Sequence, residues 1–140
     1  MFYIGYVAQP RTDDDGRRRA RGEITIGNGS PAFESDLAHW TPSQYDAQWR
    51  EGIARLATGV RSSALVTSYG GPDAAEHEVW SLRRDGTAVV LRRHLVHDAV
   101  IAVDHVADSF YALADRVVDN GAGEEWRIPF GQLLAFTVDA

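Results

Sequence analysis

Hydrophobic and polar positions alternate along some segments of this chain and recur every three or four residues along others. Runs rich in aromatic and β-branched residues, bounded by turn residues, predict strands. The predicted strands cover residues 2–8, 22–27, 32–38, 61–69, 77–84, 87–96 and 98–103, with a brief extended piece at 125–128. Helical spacing predicts three helices, which begin at Pro42, after Asp104 and near Phe130. The order of strands, helix, strands and helix predicts an antiparallel α+β fold in which helices pack on sheets.

The stretch HWTPSQYDAQW, residues 39–49, contains the start of the first helix. Thr41 is the predicted N-cap, Pro42 suits the first helical position, and Gln44 completes a capping box. Gly59 is the expected residue just beyond the end of this helix. Four apolar residues follow one stripe of the helix: Tyr45, Trp49, Ile53 and Leu56. Tyr45 and Trp49 are therefore interpreted as core residues rather than as a site.

Turn signals divide the remaining segments. Asp85-Gly86, between two strand-like runs, predicts a tight hairpin. Residues 9–21, QPRTDDDGRRRAR, are predicted to form a loop, and we expect 11–21 to be exposed and mobile because nothing in it suits burial. Asp104 is the candidate cap of the second helix. Residues 70–76 are a predicted turn or loop, and 119–123 are expected to end the second helix.

Composition and charge narrow the possible functions. The chain has 140 residues, which predicts a single domain over 1–140, and the absence of cysteine excludes disulfides and thiolate sites. No apolar run is long enough to span a bilayer and MFYIGYVAQP lacks a basic leader region, so we expect a cytoplasmic protein. Five arginines and four acidic residues give residues 1–30 a net charge of +1, whereas nine arginines and sixteen acidic residues give 31–140 a net charge of −7. An acidic body disfavours nucleic acid and favours a basic partner.

Candidate catalytic and metal-binding residues form no recognisable constellation. His94 and His97 have a suggestive spacing, but on a strand their odd offset places them on opposite faces. Asp13, Asp14 and Asp15 lack the spaced ligands of a calcium loop. No stretch matches a phosphate-binding motif or a nucleophile elbow. We therefore expect a binding module that is not an enzyme and uses no cofactor, metal or small-molecule substrate.

Two other functions remain open at this point. Arg83, Arg84, Arg92 and Arg93 flank the predicted hairpin and would give a local basic patch for a single-stranded nucleic-acid binder. The acidic body weighs against that function. The other alternative is a non-catalytic, homodimeric interaction module.

A further pattern concerns scaffold residues. Trp40, Tyr45 and Trp49 follow W-x4-Y-x3-W around a proline-started helix, and Leu56 and Ser63-Ala64-Leu65 come next. Other parts of the pattern are Gly22-Glu23, Asp36-Leu37, Glu125-Trp126, Leu134 and Phe136. In these residues the chain resembles the CdiI-type immunity proteins of contact-dependent growth inhibition systems. Segments 11–21 and 70–76 have no clear counterpart in that pattern.

The resemblance implies a whirly-like fold of two antiparallel sheets with helices after each set of strands. It also implies tight one-to-one binding to the C-terminal domain of a cognate toxin, often a ribonuclease, whose active site is blocked. It supplies no binding residues, because Trp40, Tyr45, Trp49 and Trp126 belong to the scaffold. As candidates for the partner surface we chose acidic residues expected to be exposed: Asp73, Glu76, Glu78 and Asp98.

Overall fold

The computed structural model describes residues 1–97, 101–117 and 124–138. The four strands before the first helix are β1 (Phe2–Tyr6), β2 (Arg11–Thr12), β3 (Arg18–Ile26) and β4 (Ala32–Asp36). The remaining elements are α1 (Pro42–Ala57), β5 (Ser62–Ser68), β6 (Glu76–Asp85), β7 (Ala88–His97), α2 (Val106–Val117), β8 (Glu125–Pro129) and α3 (Phe130–Val138). None of the helices in the described ranges has the length and apolar character that a membrane crossing requires.

The strands form two four-stranded antiparallel sheets. In the first, β3 is central: β4 pairs with one of its edges, and β1 and β2 pair with the other at different positions. The second sheet has the sequential order β5, β6, β7 and β8. Two antiparallel sheets with helices confirm the predicted α+β class.

The prediction of a loop over 9–21 is wrong for much of that segment. Arg11–Thr12 and the first residues of β3 pair as a hairpin, with Arg11 opposite Arg19 and Thr12 opposite Arg18. Ala20, which has a small side chain between two charged neighbours, is only 1% exposed. The first half of β3 was hidden because its charged residues alternate with the small buried residues Ala20 and Gly22, so no large apolar side chain marks the inward face before Ile24. Residues 11–12 and 18–21 therefore belong to the first sheet, and 14–16 form the exposed turn between the two strands.

The region before α2 also differs from expectation. Residues 98–100 of the predicted strand 98–103 lie outside the described residues, as do 119–123, and residues 101–103 are not in a strand. The N–H of His105 donates to the carbonyl of Ala102 at 3.0 Å, which closes a turn. Since α2 begins at Val106, the residue before it is His105, and Asp104 is not the cap.

Helix α1 follows its prediction closely. The Thr41 side chain accepts from the Gln44 N–H, and the Gln44 side chain accepts from the Thr41 N–H, at 3.2 and 2.8 Å. Gly59 has φ +97°, the left-handed conformation expected just after the helix end. All four residues of the apolar stripe are buried, at 1% exposure or less: Tyr45, Trp49, Ile53 and Leu56.

Candidate functional site

One end of HWTPSQYDAQW, the stretch from Tyr45 to Trp49, covers the outer edge of β5. The Gln48 amide spans two backbone groups of that strand: its Oε1 accepts from the Val66 N–H at 2.6 Å, and its Nε2 donates to the Ala64 carbonyl at 2.9 Å. The Trp49 indole N–H donates to the Val66 carbonyl at 2.7 Å. Side chains of the helix thus replace the neighbouring strand that an edge strand lacks.

The hydroxyl of Tyr45 joins this edge to the first sheet. It donates to the Asp36 carbonyl at 2.6 Å and accepts from the Tyr69 N–H at 2.8 Å. Burial raises the pKa of Tyr45 far above its usual range, so the hydroxyl stays protonated. Ser35 completes the connection between the sheets, since its hydroxyl donates to the Thr67 carbonyl at 2.5 Å. We call this region the α1–β5 seam, defined by Ser35, Tyr45, Gln48 and Trp49 with the β5 backbone.

Tyr45 and Trp49 are fully buried in the seam, as their helical spacing predicted, whereas Trp40 and Trp126 are partly buried. Trp40 packs on Tyr45 with ring centroids 5.1 Å apart, and Trp126 packs on Trp80 at 5.0 Å. Gln48 was missed, although its offset of three from Tyr45 places it on the buried stripe of the helix. A glutamine in that position is the signal that could have revealed a buried hydrogen-bonding role.

Next to the seam lies an open cleft of ≈ 920 Å³, whose lining includes Asp36, Ala38 and His39. One wall carries the acidic side chains of Asp73 and Glu76 from the segment between β5 and β6, and Asp36 at the end of β4 is the cross-strand partner of Arg19. The other wall is the β2–β3 hairpin with its arginines 17–19. We call it the charged cleft, and His39, the first residue of the quoted stretch, lies in its lining.

The acidic wall is held in a fixed position. Gly71 has φ +104° and is packed against the His39 ring so closely that a Cβ there would be 2.3 Å from Nε2. The N–H of Ala74 donates to the Gly71 carbonyl at 3.2 Å, which closes the turn. The Asp36 carboxylate accepts from the Ala38 N–H at 2.8 Å. The positive φ therefore favours glycine at position 71, and a side chain there would also displace the His39 ring.

The hairpin wall is braced as well. The Asp13 carboxylate forms an ion pair with Arg19, with 2.7 Å between Oδ2 and Nε, and the Arg11 guanidinium donates to Glu34 of β4 at 2.6 Å. The Leu37 N–H donates to the Arg18 carbonyl at 3.0 Å, so the backbone next to Asp36 is bonded directly to the hairpin. The two walls are thus parts of one hydrogen-bonded frame.

The four acidic residues chosen for the partner surface have different positions. Asp73 and Glu76 are exposed and line the same cleft. Glu78 is not exposed: its side chain accepts from the Thr67 hydroxyl at 2.6 Å and pairs with Arg93 at 2.6 Å. Its inward direction follows from strand alternation, which the sequence pattern around it did not reveal. Asp98 lies outside the described residues.

The predicted arginine patch is divided between two faces of the second sheet. The register pairs Ser81 with Arg92 and Trp80 with Arg93, so Arg83 and Arg92 share one face while Arg84 and Arg93 share the other. Arg84 lies 3.9 Å above the ring of Phe130, and Arg92 donates to Glu125 at 3.0 Å. The four arginines therefore do not form the continuous basic surface that nucleic-acid binding would require.

The histidines on β6 and β7 are placed separately. His94 and His97 lie on opposite faces of β7, as the spacing predicted; His94 bonds with the Ser81 hydroxyl at 2.9 Å, and His97 lies 3.6 Å from Glu76. His77 is 1% exposed and packs face to face with Tyr69, and neither ring nitrogen has a hydrogen-bond partner among the described residues. Burial lowers the pKa of His77.

Comparisons with known proteins found a matching protein family and a solved structure with a similar fold. Residues 35–136 match the family model described as the CdiI N-terminal domain. The fold is similar to a chain of the CdiA-CT/CdiI toxin and immunity complex from Enterobacter cloacae, with a TM-score of 0.79 and 18% sequence identity. That likeness covers 99% of this chain and 97% of the other. No curated protein matches the chain in sequence.

Proposed function

Because the chain belongs to the family of CdiI immunity proteins, we propose that it binds the C-terminal domain of a cognate toxin and neutralises it. The complex is one-to-one, the toxin is a nuclease, and binding blocks the toxin's active site. The protein acts in the cytoplasm by binding and not by catalysis, without a cofactor or metal.

The match of the family model over residues 35–136 carries this proposal. The charge of the chain supports the nuclease partner, because a net charge of −6 suits association with a protein that is basic enough to hold RNA or DNA. Asp73 and Glu76, exposed at the same cleft, are retained as proposed contact residues.

The test is co-expression with the toxin domain encoded beside this chain. We expect co-purification in equal amounts, loss of toxicity in cells, and loss of the purified domain's nuclease activity when the chain is added. Toxicity that persists, with no complex in size-exclusion chromatography, would reject the proposal for that pair. A complex formed with a toxin that cleaves no nucleic acid would reject only its nuclease part.

A further inference from the structure

We infer that the charged cleft is the surface that selects and receives the toxin. Its occupant is a surface segment of the toxin with basic side chains directed at Asp36, Asp73 and Glu76 and an acidic group directed at Arg17 and Arg18. This inference rests on the proposed function, and it adds where the partner is held and what chemistry the bound segment must have.

The first argument is the position of the cleft relative to the family scaffold. The hairpin wall lies before residue 35, outside the part of the chain that the family model matches. The opposite wall includes residues 70–76, which have no counterpart in the scaffold pattern of the sequence. Two segments that are far apart in sequence, and that contain none of the scaffold residues of the sequence pattern, therefore meet at one cleft. Discrimination among related partners needs surfaces of this kind, because residues fixed by the fold cannot vary with the partner.

The second argument is the state of the charges. Arg17 is 65% exposed and lies 3.6 Å from Asp15, and Glu76 is 50% exposed and lies 3.6 Å from His97. These separations are too long for direct hydrogen bonds, and such exposed pairs contribute little. Both charges can therefore exchange their present neighbours for a partner's at small cost. This differs from Glu78, whose two carboxylate oxygens are already bound to Thr67 and Arg93.

The third argument is that the walls carry opposite charge on a rigid frame. Arg17, Arg18 and Arg19 of the hairpin line the cleft together with Asp73 and Glu76 of the other wall, and Asp36 lies beside the hairpin as the cross-strand partner of Arg19. The bond from Leu37 to Arg18 and the packing of His39 on Gly71 fix the distance between the walls. A preorganised site loses less entropy on binding. A dipolar cleft also rejects a uniformly basic strip or a phosphate backbone, since either would meet like charge on one wall.

The shape of the cleft favours a protein segment over a small molecule. Small-molecule sites are mostly apolar and enclose their ligand. This cleft is open, and charged and small residues such as Gly16, Gly70 and Ala75 dominate its lining. The small residues allow a partner's backbone or long side chains to approach the charges.

The experiment reverses each wall separately in the full chain and measures the affinity for the toxin domain by titration calorimetry. The variants are Asp73→Arg with Glu76→Arg on the acidic wall, and Arg17→Glu with Arg18→Glu on the hairpin wall. Matched controls reverse exposed charges near and on α2, Asp104→Arg and Arg116→Glu. We expect each wall variant to weaken binding by about 30-fold or more, and each control by less than about threefold, at unchanged melting temperature.

The outcomes separate this inference from the proposed function. If the unmodified chain does not bind the toxin domain, the proposed function fails. If it binds and both wall variants bind equally well, the cleft is not the receiving surface. Loss of self-association in the wall variants, measured by size-exclusion chromatography without toxin, would assign the cleft to a second copy of this chain and overturn the inference. Binding of single-stranded RNA that the hairpin-wall variant abolishes would overturn it as well.

Discussion

The α1–β5 seam and the charged cleft meet at Asp36, and they use polar side chains in opposite ways. In the seam, Gln48, Trp49 and Tyr45 are buried and their polar atoms bond to backbone groups. In the cleft, Asp73 and Glu76 are exposed, and Asp73 makes no hydrogen bond or ion pair with the described part of the chain. Buried polar groups must be satisfied within the chain, whereas exposed charges remain available to a partner.

Substitutions in the two regions are therefore expected to affect different properties of the protein. A substitution in the seam leaves a backbone group of β5 without a partner, so the loss is expected in stability. A substitution in the cleft removes a charge that water already solvates, so the loss is expected in binding. The following substitutions test that separation, beginning with the largest expected change in the free energy of unfolding.

Trp49→Ala is expected to lower the free energy of unfolding by about 3–5 kcal/mol, because it removes a fully buried indole and its contacts with Tyr6 and Phe33. Chemical denaturation followed by circular dichroism measures the change. Trp49→Phe is the matched control: it keeps an aromatic ring but loses the bond to the Val66 carbonyl, and should cost about 1–3 kcal/mol. If the Trp49→Ala protein were fully stable but failed to bind its partner, Trp49 would be a binding residue and not a structural one.

The seam and the cleft also differ in how far the sequence predicted them. The spacing of Tyr45, Trp49, Ile53 and Leu56 predicted the buried face of α1, because apolar residues on one face of a helix recur every three or four positions. The cleft has no such period, since its walls come from segments more than 50 residues apart and meet only in the fold. The hairpin strand escaped prediction because Ala20 is too small to mark an inward face. Glu78 was misplaced because neighbours on both faces of β6 are buried, which removes the alternation that would have shown its direction.

Gln48→Leu is expected to cost about 2–4 kcal/mol, since it leaves the Val66 N–H and the Ala64 carbonyl without partners in a buried position. The same denaturation measurement tests it. Gln132→Leu, on the exposed side of α3, serves as the control: it loses only an exposed hydrogen bond from the N-terminal ammonium and should change stability by less than about 1 kcal/mol. Equal effects of the two substitutions would show that the edge of β5 does not depend on the amide.

Glu78→Ala distinguishes a buried carboxylate from a contact residue. It removes the acceptor for the Thr67 hydroxyl and the partner of Arg93, and should cost about 1–3 kcal/mol. Glu34→Ala breaks an exposed pair with Arg11 instead and should cost less than about 1 kcal/mol. If Glu78→Ala left stability intact and weakened toxin binding, Glu78 would rejoin Asp73 and Glu76 as a proposed contact.

The buried His77 is expected to make the free energy of unfolding depend on pH. Burial lowers its pKa in the folded chain, so below the ordinary value of 6.5 the unfolded chain takes up the proton more readily than the folded chain. Stability must therefore fall as the pH falls through and below 6.5. His77→Phe should reduce the slope of unfolding free energy against pH in this window. The remaining slope includes His94, whose pKa is lowered by burial and by Arg92. An unchanged slope would show that His77 is not held neutral in the fold.

The smallest expected effects on stability belong to Asp73→Ala and Glu76→Ala, each within about 0.5 kcal/mol of the unmodified chain. Asp73 has no hydrogen-bond partner within the described residues, and Glu76 only a distant, exposed histidine, so neither leaves a buried group unsatisfied. Thermal unfolding of the two variants and of the unmodified chain measures this directly. A loss of more than about 1 kcal/mol would mean that the carboxylates help to build the wall on which they stand. The cleft would then be maintained by its own charges, and weaker toxin binding by its variants could no longer be attributed to lost contacts alone.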